Sequence, residues 1–129
     1  MLHYPVSAVT IDGLKRDLRR NGHKGFAGFT KWEVHWTPNC KVSVNITYIL
    51  PEHTRPQMMP ERVRRRFTRM LANLVAHENK HGRHAILAGR EIEKAGCRNA
   101  RRIIRKYNAA DATLDRRTRH DRRDGVTLD

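Results

Sequence analysis

The chain is predicted to fold as an α+β protein: a short N-terminal helix, a small antiparallel sheet containing a hairpin, a long central helix and a further helix near the C-terminus. Two periodicities predict this, since apolar residues alternate over 31–37 and 41–50 and then recur every three to four residues from Glu61 onward. Turn residues fall at the joins, at Asn21-Gly22, Pro38-Asn39 and Ala95-Gly96.

Asp12 to Arg20 reads as the first helix, with Asp12 as N-cap, Leu14 and Leu18 one turn apart, and Asn21-Gly22 as a left-handed stop. After a glycine-rich loop, Trp32, Val34 and Trp36 share one face of a strand and Glu33, His35 and Thr37 the other. Val42, Val44, Ile46, Tyr48 and Leu50 form the apolar side of the next strand, so the pair makes an antiparallel hairpin. Asn45-Ile46-Thr47 matches a glycosylation sequon, but its middle residue belongs to the buried face, and the match is read as coincidence. Residues 51–60 contain three prolines and read as a loop.

A helix over about 61–95 follows, its stripe running through Val63, Phe67, Met70, Leu71, Leu74, Val75, Ala85, Ala88 and Ile92. A last helix over about 99–113 turns Ile103, Ile104 and Tyr107 inward, with Leu114 just beyond, and Arg101, Arg102, Arg105 and Lys106 outward. With 129 residues the chain suffices for one domain, expected to span 1–129, and no second unit or repeat is visible. Its mean hydropathy is only −0.78, yet the apolar residues gather into periodic segments instead of being diluted through a polar chain.

Lys and Arg outnumber Asp and Glu by 27 to 13, a net charge of +14, which suits an anionic partner such as nucleic acid. The basic residues concentrate between Arg62 and Arg69 and between Arg98 and Arg123, where little besides Tyr107 offers a stacking surface. No apolar stretch reaches membrane-spanning length, and the first residues lack the order of a signal peptide. Cys40 and Cys97 form no C-x-x-C pair; they can make one disulfide, which would imply an oxidising compartment, or remain two free thiols.

The densest chemical signal is His77-Glu78-Asn79-Lys80-His81, an H-E-x-x-H lying on the apolar stripe of the long helix. Imidazoles four residues apart sit about 6 Å apart in rise on one helical face, so both can reach one zinc ion while Glu78 serves as general base. Buried imidazoles and a buried carboxylate without partners would be costly, and a metal ion accounts for all three. A catalytic zinc needs a third protein ligand and an open position. His84 lies roughly 10 Å along an unbroken helix from His77, and Glu91 and Glu93 lie further, so the third ligand is expected from another segment. His3, His23, His35, His53 and His120 remain; His35, on the polar face of its strand, reads as exposed.

Several of these segments resemble the bacterial DUF922 family, whose members look like secreted zinc-dependent proteases. The similarity lies in Tyr4-Pro5-Val6 with Thr10 and Leu14, the Thr30-x-Trp32 step, Cys40 and the strand after it, Leu50-Pro51, and the H-E-x-x-H with Ala88, Glu91 and Ile92 behind it. It ends in Asp115-Arg116-Arg117-Thr118-Arg119-His120 with Gly125 beyond, similar to a closing D-x-x-T-x-H-G-x-x-x-G pattern, although Asp121 stands where Gly is expected and Leu114 where an aromatic is expected.

The resemblance implies that the Arg-rich end is a structured return segment carrying His120 to the metal as third ligand. Asp115 would then orient an imidazole, or be a ligand itself. It also implies a periplasmic or secreted location. The activity expected is peptide-bond hydrolysis on a peptide or protein substrate: zinc held by His77, His81 and His120 activates a water, and Glu78 moves its proton to the leaving amine. Tyr107 and the neighbouring arginines are candidates for stabilising the oxyanion. Two other classes compete, a basic nucleic-acid-binding module with a structural metal, and a metal-binding domain without catalysis.

Overall fold

A computed structural model describes all 129 residues. In chain order it comprises β1 (Leu2–Val6), α1 (Ile11–Asn21), β2 (Phe29–Trp36), β3 (Val42–His53), α2 (Glu61–Lys94) and α3 (Ala100–Arg117), with short 3-10 turns at His23–Gly25, Pro56–Met58 and Arg122–Asp124. It is an α+β fold in which α2 lies across one face of a three-stranded sheet ordered β1-β3-β2.

The hairpin is where alternation placed it: β2 and β3 run antiparallel, with Trp32 opposite Ile46 and Val34 opposite Val44. The sheet is mixed, however, because β1 joins the other edge of β3 in parallel, with Tyr4 opposite Pro51. Five residues interrupted by a proline give little periodic signal, and a parallel partner lies far away in sequence. β3 also continues through Pro51 to His53, where the sequence suggested a loop. Pairing with β2 stops at Ile49, so the face of Pro51 that lacks an N–H meets no second strand.

Helix α1 is capped by Thr10, whose hydroxyl oxygen accepts from the Gly13 N–H at 3.1 Å, and Asp12 occupies the first turn instead of the cap. Nor is Gly22 left-handed: at φ −70° and ψ 156° it leaves the helix extended after its N–H closes on the Leu18 carbonyl. Asp17 ties this helix back to β1, its carboxylate accepting from the backbone N–H groups of Ser7 and Ala8 at 3.0 and 2.9 Å.

Two apolar clusters flank the middle of α2. One gathers Tyr4, Val6, Leu14, Leu50, Phe67, Met70 and Leu74 with Val126 and Leu128 from the chain end; the other joins Val34, Ala88, Ile92 and Ala100. Between them the helix stays unbroken and close to the sheet because of two glycines. A Cβ on Gly82 would fall 1.9 Å from the Tyr48 hydroxyl, and one on Gly89 would fall 2.5 Å from a Val44 methyl. Each costs about 1 kcal/mol of helix propensity relative to alanine and is retained for that approach.

Helix α2 ends with the Cys97 N–H closing on the Ile92 carbonyl, and Gly96, Cys97 and Asn99 all take positive φ in the turn to α3. Cys40, in the hairpin turn, and Cys97 form a disulfide with a Cα separation of 5.7 Å, which ties the sheet to this turn. Such bonds persist mainly in oxidising compartments outside the cytoplasm. No helix is long and apolar enough to cross a membrane. Helix α3 runs one turn past the expected end, to Arg117, and so carries both Asp111 and Asp115 on one helical surface.

A histidine and aspartate centre between two helices

His77, Glu78 and His81 are all buried, as the apolar stripe required; His77 is fully enclosed. Facing them across the antiparallel helix pair are Asp111 and Asp115, also one turn apart. Asp115 Oδ1 lies 3.2 Å from His77 Nε2 and 2.9 Å from His81 Nε2. The outer nitrogens have carboxylates of their own: His77 Nδ1 lies 2.9 Å from Asp124, and His81 Nδ1 lies 2.8 Å from Asp111. Trp32 Nε1–H donates to the other oxygen of Asp111 at 2.7 Å.

For all four ring contacts to be hydrogen bonds, both imidazoles must carry two protons, placing two buried cations with ring centroids 5.1 Å apart. Burial opposes that charge on His81, and the carboxylates of Asp111 and Asp115 outweigh it, lifting its pKa to about 10. His77 is likewise raised, burial being outweighed by Asp115 and Asp124. A metal ion would satisfy the same donor set without the second proton: each Nδ1–H donates to its own aspartate, and each Nε2 turns a lone pair toward Asp115 Oδ1. His77, His81 and Asp115 thus form a group that can hold a metal ion, their ligand atoms lying within 4.8 Å of one another.

Asp115, read from the sequence as an imidazole's partner or as a ligand itself, stands between both of them, and His120, read as third ligand, lies beside Asp115. Its Nδ1 is 3.7 Å from Asp115 Oδ2 and its ring is 6.1 Å from that of His77. The turn after α3 causes this, because Arg119 and His120 both adopt left-handed backbone and the ring comes to rest on Phe26, centroids 3.7 Å apart. Two such residues cost on the order of 1–3 kcal/mol each. His120 Nε2 is buried with no partner. Asp121, where glycine was expected, has φ −158°, which any residue adopts. Burial first, with several nearby carboxylates, raises its pKa to about 7.

Glu78 points away from the aspartates toward β2. Its Oε1 accepts the Thr30 hydroxyl at 2.8 Å, while Oε2 is buried and unpartnered. Burial raises its pKa, against a lowering by the Thr30 hydrogen bond and the two histidines. A cavity of about 240 Å³ opens beside it, lined by Thr30, Trp32, Glu78, His81, Asn108, Asp115 and His120 among others. Of the remaining histidines, His35 is exposed beside Glu33, His53 is buried with Nε2 bonded to the Ala8 carbonyl, and His23 stacks on Phe29. Glu91 pairs with Lys106, away from the centre.

Thr30, Trp32, Asp111 and Asp124 went unassigned as supports. The signal for three of them is present in the sequence: Asp111 and Asp115 repeat the i, i+4 spacing of His77 and His81, and Thr30 and Trp32 share one strand face.

The family model for bacterial proteins of unknown function, DUF922, matches residues 1–121. The chain belongs to that family. No match to a curated protein or to a solved structure was found.

Proposed function

We propose that the protein is a zinc-dependent peptidase acting outside the cytoplasm, with His77, His81 and Asp115 as the metal-holding residues and Glu78 as general base. The single observation that carries this reading is the paired orientation of the two imidazoles, each with Nδ1 against its own carboxylate and Nε2 facing Asp115 Oδ1. Bound there, zinc would supply Lewis acidity and lower the pKa of a water toward about 7. Imidazole and carboxylate donors suit that ion.

The chain's own groups supply the rest. Glu78 is held by Thr30 with one oxygen free beside the cavity, and its raised pKa places it closer to the range useful for taking a proton and delivering it to a leaving amine. His120 lines the same cavity with a buried, unpartnered ring nitrogen, and we assign it the role of hydrogen-bond donor to the substrate carbonyl as charge develops there. Asp111 and Asp124 hold the imidazoles in register, and Trp32 holds Asp111. The exposed arginines of α2, including Arg62, Arg69, Arg83 and Arg90, favour approach of acidic substrates without defining the bond cleaved. The disulfide supports a periplasmic or secreted location.

The test is metal analysis of the purified protein joined to digestion of a mixed peptide library by wild type and by Glu78→Gln. Zinc near one equivalent, with cleavage by wild type that the variant lacks, is expected. A zinc-loaded wild type that cleaves nothing would sink the peptidase reading and leave a binding domain.

A further inference from the structure

His84 lies seven residues beyond His77 on the unbroken α2, roughly 10 Å along its axis, yet it is not idle. Its Nδ1 lies 2.6 Å from Asp111 Oδ1, the same oxygen that His81 Nδ1 approaches at 2.8 Å. One carboxylate oxygen therefore faces two imidazole nitrogens, repeating one turn along the helix pair the motif that Asp115 makes with His77 and His81. The ligand atoms of His81, His84 and Asp111 all lie within 4.8 Å of one another. His81 belongs to both groups through different atoms, Nε2 toward Asp115 and Nδ1 toward Asp111.

We propose that His81, His84 and Asp111 form a second site for a divalent transition-metal ion, adjoining the first and sharing the imidazole of His81 with it. Two nitrogens and one carboxylate oxygen suit zinc, nickel and, most strongly, copper. His84 and Asp111 are each about one-fifth exposed, so an ion can reach them from solvent, unlike the enclosed His77. Filling both sites makes His81 a bridge between the ions. The second ion takes the place of the His81 Nδ1 proton, which leaves to solvent, while the His84 proton moves to its Nε2. Lys80, Arg83 and Arg117 border the groove beside His84, and their charge makes the second site the weaker of the two.

The experiment counts metal equivalents. Metal-free protein is titrated with Zn2+ by calorimetry, with bound metal measured after gel filtration, for wild type, His84→Ala, His77→Ala and the surface control His35→Ala. Wild type should take two equivalents. His84→Ala should keep the tighter one and weaken the second by at least about tenfold, His77→Ala should do the reverse, and His35→Ala should match wild type. Cu2+ added to wild type already holding one Zn2+ should show hyperfine coupling to two imidazole nitrogens in its paramagnetic resonance spectrum, a readout that needs no variant to fold.

Saturation of wild type at one equivalent that His84→Ala retains overturns the second site and leaves the proposed function standing. A single equivalent lost in His84→Ala and kept in His77→Ala supports this site and overturns the assignment at His77. No binding by wild type overturns both, and loss of the second equivalent with His35 instead of His84 places it elsewhere.

Discussion

Thr30 donates its hydroxyl to Glu78 across the interface of β2 and α2, at 2.8 Å, and this is the one side-chain partner of the only carboxylate in the H-E-x-x-H. The bond fixes which oxygen of Glu78 is held and which is left unpartnered. Thr30→Val keeps the shape and removes the donor, leaving both oxygens of a buried carboxylate unsatisfied. The expected loss is about 1–3 kcal/mol of unfolding free energy, measured by urea denaturation, with any peptidase activity down roughly tenfold. A variant as stable and active as wild type would show that the hydroxyl does nothing for Glu78.

Asp124 supports His77 from the 3-10 turn beyond α3 and also pairs with Lys80 at 2.8 Å. It touches the outer nitrogen of the ring, so its effect on a metal ion must pass through His77. Asp124→Asn should weaken metal binding about 10- to 100-fold. In wild type, metal at about a hundredfold excess over its dissociation constant should stabilise the fold by about 2.7 kcal/mol, visible as a rise in melting temperature. Equal affinities in variant and wild type would deny Asp124 that role.

The Cys40–Cys97 bond closes a separation of 57 residues and ties the hairpin turn to the turn between α2 and α3. Loop-closure entropy for that span is about 4 kcal/mol, so the Cys40→Ser, Cys97→Ser double variant should lose most of that in equilibrium denaturation. Adding reductant to wild type should reproduce the loss, and a midpoint unmoved by reductant would contradict it.

Asp17 links stability to acid. Partial burial pushes its pKa up, but the Ser7 and Ala8 N–H groups, helped by Arg20 and Arg16, bring it below the ordinary value. A carboxyl whose folded pKa is depressed contributes stability that is fully present above its unfolded value, about 3.9, and is lost as pH falls through the folded value. Wild type should therefore exceed Asp17→Ala in urea midpoint at pH 7, and the gap should close below that range. A gap of equal size at pH 2 would assign the effect to packing.

Much of this molecule is written in local pattern. Alternation across Trp32, Val34 and Trp36 determined a strand face, the three-to-four spacing from Val63 to Ile92 determined α2, and the same stripe determined that His77 and His81 point inward. Those facts depend on neighbours within one or two turns, which sequence order records directly. The tertiary structure decided what meets them. β1 joins in parallel because Tyr4 and Val6 find a core made by distant elements. His81 meets Asp111 across 30 positions and His77 meets Asp124 across 47, and no local period reaches so far. The places of Asp115 and His120 depend on one extra turn of α3 and two left-handed residues after it, details of backbone that apolar patterning does not encode. The sequence by itself determined that two imidazoles and a carboxylate face the interior, whereas only the packing of α3 and the turn beyond it against α2 decided which aspartates meet the imidazoles.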